Sequence, residues 1–162
     1  MLQDFRIFTV IRDYLLSYLL VNNLLSDKPY SFVKGRSAML QLLHVMDKWT
    51  DRLDDSWQLH VIDSDFEKVF DKVPHKRLIS KLHAYGIDEG IIKWVSEFLR
   101  ARKYTVKVNG SFSGWHNVPS GIPQGSALGQ LLFIIYINDL IESCQQYSDI
   151  YVFADDAKFF RH

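Results

Sequence analysis

Residues 151–160 have the sequence YVFADDAKFF, in which Asp155 and Asp156 separate two apolar runs. Short apolar runs around a polar break are typical of two strands joined by a tight hairpin, with both carboxylates at its tip. Adjacent carboxylates repel each other unless a cation lies near them. Two interpretations are open: a solvated polar turn, in which Asp is common, or a site for a divalent metal ion.

Composition predicts a single compact domain. The chain has 162 residues, of which 48% are hydrophobic and 14% aromatic, enough for a packed core and too many for general disorder. The 19 basic and 19 acidic residues cancel, which argues against nucleic-acid binding by bulk charge and leaves room for local patches. The single cysteine, Cys144, excludes an intrachain disulfide and a cysteine-based zinc site.

Neither a signal peptide nor a membrane span is predicted. Charged residues interrupt the apolar N-terminus, and the longest apolar run, residues 131–137, is too short to cross a bilayer. Together with the cysteine content, this predicts an intracellular protein, with nucleus and cytoplasm not distinguished.

Periodicity and turn residues predict an α+β fold with an antiparallel sheet. The expected order is helix 5–25, loop 26–37, a helix with an apolar stripe, a buried strand at 58–66, helices 75–85 and 88–101, a hairpin at 103–118 around Asn109-Gly110, a buried helix 127–143 and the closing hairpin. The stripe of the second helix comprises Met39, Leu42, Leu43, Met46, Trp49 and Leu53.

A third carboxylate, Asp65, ends the predicted buried strand. Carboxylates that converge from two strands could hold two Mg²⁺ ions ~3.5–4 Å apart, the arrangement used for in-line phosphoryl transfer. Magnesium prefers hard oxygen ligands. Spacing alone does not decide between this site and a polar turn.

Four segments together resemble the reverse transcriptase domain of non-LTR (LINE-type) retrotransposons. They are YSFVKGRSAM (30–39), DFEKVFDKVPHKRLISKL (65–82), NGSFSGWHNVPSGIPQGSALGQLLFIIYINDL (109–140) and FADD (153–156). The resemblance implies a polymerase of right-hand architecture: a fingers-like helical part at 1–57 with a triphosphate-binding loop, and a palm at 58–162. The implied activity is RNA-directed DNA polymerisation.

The resemblance implies catalytic roles for three aspartates. Asp65 and Asp155 would be the principal metal ligands and Asp156 the second half of the F/Y-x-D-D box, while the Phe66 carbonyl would help to coordinate metal. The implied cofactors are two Mg²⁺ ions, with Mn²⁺ as a substitute.

The resemblance also implies a nucleotide site. Lys34 and Arg36 match positions that meet the incoming triphosphate, although the two residues could equally be a solvated loop. Phe70 matches the steric gate, whose ring fills the space of a ribose 2′-hydroxyl; simple core packing is the alternative. Gln124 matches a position beside nucleotide and template, with a turn residue as the alternative. Backbone freedom in its loop comes from Gly121 and Gly125.

The implied partners are an RNA template, a DNA primer and deoxynucleoside triphosphates. The primer 3′-hydroxyl would attack the α-phosphate, and pyrophosphate would leave. Residues 100–108 offer positive charge for nucleic-acid phosphates. So does a second basic cluster, although a solvated helix face is the favoured interpretation of it; its members are Lys72, His75, Lys76, Arg77 and Lys81.

Departures from the family pattern lead to an alternative function. Asp63 replaces an apolar or aromatic residue and shares a strand face with Asp65. It would therefore add a carboxylate near the metal site or bury an unpaired charge. Six residues follow Asp156, so a thumb and primer grip would have to come from elsewhere, and we expect no primer extension by the chain alone. The alternative is an inactive, domesticated or decaying remnant that acts at most as an RNA-binding or interaction module. A two-metal nuclease is a third option, disfavoured by Phe70 and the GIPQG loop.

Overall fold

The computed structural model describes residues 2–25, 38–56, 58, 60–65, 67–100, 102–145, 147–153 and 156–161. Its elements are α1 (Leu2–Val21), α2 (Ala38–Asp54), β1 (His60–Asp65), α3 (Val69–Lys72), α4 (His75–Ala84), α5 (Glu89–Arg100), β2 (Lys103–Tyr104), β3 (Lys107–Val108), β4 (Ser111–Phe112), β5 (His116–Asn117), α6 (Ala127–Gln145), β6 (Asp149–Phe153) and β7 (Asp156–Arg161). The predicted element order is confirmed, apart from the unpredicted short helix α3. The predicted loop at 26–37 lies outside the described residues.

Every strand pair of the described chain is antiparallel, which confirms the α+β class. The chain forms two compact units. The first consists of residues 1–22 and 69–136, and the second of residues 23–68 and 137–162. Among the described helices, none is both long enough and apolar enough to cross a membrane.

The first unit is built on α1, α4 and α5. Phe8 of α1 packs against Trp94 and Phe98 of α5, with ring centroids 5.5 and 5.0 Å away. A Schellman motif ends α4: Gly86 donates to the His83 carbonyl and Ile87 to the Leu82 carbonyl. Gly86 has φ +71°, as expected from its predicted position between the two helices. The buried residues of these helices include Leu15, Leu19, Leu78, Leu82, Ile92, Val95 and Leu99.

The hairpin predicted around Asn109-Gly110 is present in the first unit. Both turn residues have positive φ (+48° and +84°), which a type I′ turn requires. β3 pairs with β4 next to the turn, and β2 pairs with β5 further from it. Between the two ladders, residues 105–106 face the longer segment 113–115. Here the Val106 amide donates to Ser113 Oγ (2.9 Å), which keeps the hairpin continuous.

The second unit contains a sheet in the order β1-β7-β6. The central strand is β7, and β1 lies at an edge. The prediction that β1 is a buried strand is therefore wrong: among the described strands it pairs only with β7, and Ile62 is 65% exposed. One sheet face instead buries Tyr151 and Phe160 against Val45 of α2, with Trp49 packed beside them.

Of the apolar stripe predicted along α2, Trp49 packs against the sheet and the other five residues do not. Met39, Leu42, Leu43, Met46 and Leu53 are all exposed. The helix turns Val45 and Trp49 toward the sheet; the Trp49 ring meets Phe160 edge-on at 5.9 Å. Periodicity identifies apolar positions on a helix, but the position of the sheet selects which of them are covered.

The predicted buried helix is confirmed as α6. Ser126 precedes it, and its Oγ accepts a hydrogen bond from the Gly129 amide (2.9 Å), an N-cap interaction. The buried side chains of the helix include Leu128, Leu131, Leu132, Phe133, Ile134, Ile135, Ile137 and Ile141.

Candidate active site

The pairing of β1 with β7 brings two of the predicted site residues together. Asp65 is the last residue of β1 and Asp156 the first of β7, and they occupy directly opposed positions in the register. In the next pair of strands, Asp156 lies opposite Phe153. Asp155 and Phe66 lie outside the described residues. The backbone therefore places Asp65 and Asp156 at the same end of one sheet.

Two positions further along these strands, the next cross-strand pair on the same sheet face is Asp63 and Lys158. The Lys158 ammonium lies 2.5 Å from Asp63 Oδ1, and the two side chains are 41% and 66% exposed. Of the two expectations for Asp63, the buried unpaired charge is wrong. Its carboxylate is solvent-accessible and neutralised by the opposing strand. Such an exposed ion pair is worth at most about 1 kcal/mol, yet it gives Asp63 a local cation.

Phe70 lies in the short helix α3 and is half-buried. Its ring centroid is 4.3 Å from that of Phe133, a buried residue of α6. One side of the ring is thus supported by the core while the side chain keeps part of its surface accessible. This geometry is compatible with packing and with a gate, so the gate remains a prediction.

The loop that contains Gln124 is bonded directly to the turn that carries Phe70. The Ile122 amide donates to the Phe70 carbonyl, and the Gly121 amide donates to the Val73 carbonyl (both 2.8 Å). Gln124 Nε2 reaches Asp71 Oδ1 at 3.3 Å. The two predicted nucleotide-contacting residues that the structure describes therefore belong to one hydrogen-bonded assembly.

Gly121 allows this close approach. A Cβ at this position would lie 2.7 Å from the Asp71 Cα and carbonyl oxygen, and its φ of +87° disfavours other residues. Gly125 also has a positive φ, +77°. The predicted backbone freedom of this loop is confirmed at both glycines, and at Gly121 it serves contact with α3.

Sequence reasoning missed two residues that support the loop. His75 Nε2 lies 2.8 Å from the Gly121 carbonyl oxygen, and the Arg102 guanidinium donates to the same oxygen. Burial lowers the pKa of Arg102 below its usual value, an effect that the nearby Asp71 carboxylate opposes. Arg102 was predicted to contact phosphates, and His75 was predicted to lie on a solvated face. A bond to a main-chain oxygen distant in sequence leaves no local signal.

The basic cluster on α3 and α4 is only partly a solvated face. Lys72, Lys76 and Arg77 are exposed as predicted. Lys81 is half-buried, and its ammonium donates to the carbonyls of Ile135 (3.1 Å) and Tyr136 (2.5 Å) in α6. Part of the cluster's charge therefore stabilises helix packing.

Two parts of the predicted site cannot be located. Lys34 and Arg36 lie outside the described residues. Within the described side chains, no group of three or more His, Cys, Asp or Glu could hold a metal ion. The carboxylates of Asp65, Asp155 and Asp156 lie outside the described side chains, so the metal site stays a prediction.

Known proteins are similar to this chain in sequence and in fold. A family model described as "Reverse transcriptase (RNA-dependent DNA polymerase)" matches residues 2–161. The probable RNA-directed DNA polymerase from transposon BS of Drosophila melanogaster is 29% identical over 123 residues, which cover 72% of this chain and 13% of that protein. The corresponding protein from transposon X-element of the same organism is 28% identical, with 80% of this chain and 14% of that protein covered.

A solved structure of apo telomerase from Candida tropicalis matches with a TM-score of 0.58 and 15% identity. The match covers 76% of this chain and 28% of that one. At this identity the likeness supports the fold alone. The chain spans less than a fifth of the length of the two Drosophila relatives.

Proposed function

Because the chain belongs to the reverse transcriptase family, we propose that it supplies the fingers (1–57) and palm (58–162) of an RNA-directed DNA polymerase. The membership confirms the resemblance to non-LTR retrotransposon enzymes predicted from four motifs. The proposed reaction adds deoxynucleotides to a primer 3′-hydroxyl on an RNA template.

The register of Asp65 opposite Asp156 is the observation that supports it most directly. Directly opposed residues of an antiparallel pair have Cβ atoms about 4.5–5.5 Å apart, and like charges at such positions are destabilising. Asp155 adds a third carboxylate one residue before Asp156. A divalent cation would offset this repulsion, whereas a solvated turn would not need Asp at the end of β1.

The donor set fits magnesium. Asp65, Asp155 and Asp156, with the Phe66 carbonyl, offer only oxygen ligands, which Mg²⁺ and Mn²⁺ prefer. When bound, two such ions would lower the pKa of the attacking hydroxyl and stabilise charge on the leaving pyrophosphate. Lys158 holds Asp63 in an ion pair, so Asp63 is not needed as a ligand.

The assembly of Phe70 with the Gln124 loop supports a nucleotide-selecting role. Exclusion of a 2′-hydroxyl by shape requires a ring that does not yield, and Phe133 supports the Phe70 ring from behind. The hydrogen bonds from the loop to the Phe70 and Asp71 backbone limit movement of α3. Lys34 and Arg36 would grip the triphosphate through charge-assisted hydrogen bonds.

Calorimetric titration of Mn²⁺ into the purified chain tests the metal site. We expect weak binding that Asp155→Asn removes. Asp63→Asn is the matched control, because it removes an exposed carboxylate two residues from Asp65 and should leave binding unchanged. Equal binding by Asp155→Asn and the unaltered chain would remove the metal site from the proposal.

Primer extension tests the activity itself. Residues 30–162 would replace the matching segment of an intact relative, which is then assayed with an RNA template, a DNA primer, Mg²⁺ and deoxynucleotides. We expect extension that Asp65→Asn and Asp156→Asn each abolish. Full extension by either variant would contradict the catalytic roles.

A further inference from the structure

The hairpin of residues 102–118 exposes an unusual concentration of large apolar side chains. Tyr104, Phe112 and Trp115 are 49%, 66% and 70% exposed, and Val106 and Val108 lie exposed between them. Single exposed apolar residues are normal on protein surfaces, but several large ones on one short hairpin indicate a candidate interaction site. We call residues 102–118 the aromatic hairpin.

The charged side chains of the aromatic hairpin and its flanking residues are all basic. From residue 98 to residue 138 the sequence contains no Asp or Glu. Two of its cations are engaged: Arg100 pairs with Glu97 at 3.3 Å, and Arg102 binds the Gly121 carbonyl. Lys103 and Lys107 are exposed, and neither forms an ion pair with another described residue. The aromatic hairpin therefore presents two available positive charges.

Two cross-strand pairs on the hairpin bring aromatic rings into contact, one with a lysine and one with a second ring. The Lys107 ammonium lies 5.1 Å from the centroid of the Phe112 ring, its cross-strand partner. Tyr104 and His116 form another cross-strand pair, with ring centroids 5.5 Å apart. A phosphate at Lys107 would thus have an apolar ring beside it, and the Tyr104 and His116 rings, tilted by 32° to each other, offer ring faces for a base.

Hydrogen bonds within the chain fix the shape of the hairpin. The type I′ turn closes one end, and the Val118 amide donates to the Arg102 carbonyl (3.1 Å) at the other. In the middle, Thr105 Oγ1 donates to the Ser113 carbonyl at 2.9 Å. A preformed surface loses little conformational entropy when it binds a partner.

We propose that the aromatic hairpin binds single-stranded nucleic acid, RNA or DNA, with bases stacked on the exposed rings and phosphates at Lys103 and Lys107. Single strands present base faces that stack on aromatic side chains, whereas a duplex keeps those faces covered. The uniformly positive charge complements phosphate. Among protein partners, this positive charge would favour only those with an acidic surface.

This inference requires neither a bound metal nor a nucleotide, so it does not depend on the proposed catalytic residues. Binding is measured in EDTA by fluorescence anisotropy, with a labelled 12-nucleotide RNA, its DNA equivalent and a duplex RNA of equal length. Loss of the metal site would leave the result unchanged, and failure of hairpin binding would leave the metal titration unchanged.

We expect Trp115→Ala to weaken single-strand binding by roughly 5- to 150-fold, the range for loss of one stacked base. The control is Tyr147→Ala, which removes a similarly exposed ring (73%) outside the hairpin. The double variant Lys103→Ala, Lys107→Ala should reduce the slope of log K against log salt by ~1.4, because each phosphate contact on a single strand contributes about 0.7. Lys93→Ala, an exposed lysine of α5, should leave the slope unchanged.

Three results would overturn the proposal. They are equal affinity of Trp115→Ala and Tyr147→Ala, tighter binding of duplex than of single strands, and an unchanged salt slope in the double lysine variant. If Trp115→Ala instead abolishes self-association in sedimentation while RNA affinity stays the same, the surface is a protein interface. Circular dichroism of each variant establishes that the hairpin variants remain folded.

Discussion

Asp65 lies directly opposite Asp156 in the antiparallel pairing of β1 with β7, two positions beyond the ion pair between Asp63 and Lys158. The two cross-strand pairs differ in charge complementarity. Lysine neutralises Asp63, but an acidic residue faces Asp65. Opposite charges across a strand pair stabilise it and like charges destabilise it. We therefore expect a cation added at this end of the sheet to increase stability.

The first prediction concerns stability in the absence of metal. Asp156→Asn should raise the free energy of unfolding by about 0.2–1 kcal/mol, because it removes one of two opposed charges. Urea denaturation in EDTA measures this change. Asp63→Asn should instead leave stability unchanged or lower it by up to about 1 kcal/mol, since it removes the ion pair with Lys158. A loss of stability in Asp156→Asn equal to that in Asp63→Asn would contradict repulsion at this pair.

A second prediction concerns Mn²⁺ and thermal stability. A ligand that binds the folded chain stabilises it by about 2.7 kcal/mol at 100 times its dissociation constant. Added Mn²⁺ should therefore raise the melting temperature of the unaltered chain and of Asp63→Asn, but not that of Asp155→Asn. Differential scanning calorimetry measures the melting temperatures, and the same measurements with Ca²⁺ compare a second divalent cation. An equal rise in all three proteins would indicate nonspecific binding.

The third prediction concerns nucleotide selection by Phe70. In the chimera with an intact relative, Phe70→Ala should greatly increase ribonucleotide incorporation, whereas deoxynucleotide use should fall only modestly. The reason is that loss of the ring opens the space a 2′-hydroxyl needs. Phe70→Tyr retains a ring and should retain the preference. If the ratio of ribo- to deoxynucleotide incorporation is the same in all three proteins, the contact with Phe133 is the whole role of the residue.

The fourth prediction concerns the approach of Gly121 to α3. Gly121→Ala should destabilise the chain by more than Gly110→Ala, although both residues have φ near +85°. In each variant, the left-handed backbone of the alanine lowers the free energy of unfolding by about 1–2 kcal/mol. Gly121→Ala lowers it by about 1–3 kcal/mol more, because its Cβ would overlap the Asp71 backbone. At Gly110 no atom lies within 4 Å of the added Cβ. Urea denaturation of both variants gives the difference, and equal losses would show that the loop moves away freely.

The fifth prediction concerns Arg102, which supports the same loop. Arg102→Met should lower the free energy of unfolding by about 1.5–3 kcal/mol, the range for a hydrogen bond to a charged group. Arg100→Met removes an exposed arginine paired with Glu97 and should cost at most about 1 kcal/mol. Hydrogen exchange of the Ile122 amide, which donates to the Phe70 carbonyl, should accelerate in Arg102→Met. Unchanged exchange would mean that Arg102 does not hold the loop.

The sequence by itself determined the features that depend on neighbouring residues. Helical periodicity located α1, α2, α4, α5 and α6, and Asn109-Gly110 located the hairpin turn, because the preferences behind these patterns act within a few residues. The family was also identified from sequence, because its motifs are contiguous. For the proposed site, the carboxylates, Phe70 and Gln124 were named in this way.

Tertiary structure alone decided which of these residues meet. The partner of Asp63 is Lys158, 95 residues away, and the exposed edge position of β1 follows from the sheet order β1-β7-β6. The sequence pattern likewise did not show that most of the α2 stripe is exposed, or that His75 and Arg102 bind the Gly121 carbonyl. Register and burial are set by contacts between distant segments, and each such contact depends on the packing of the others. A local pattern therefore names the groups that are available, and the packed chain selects their partners.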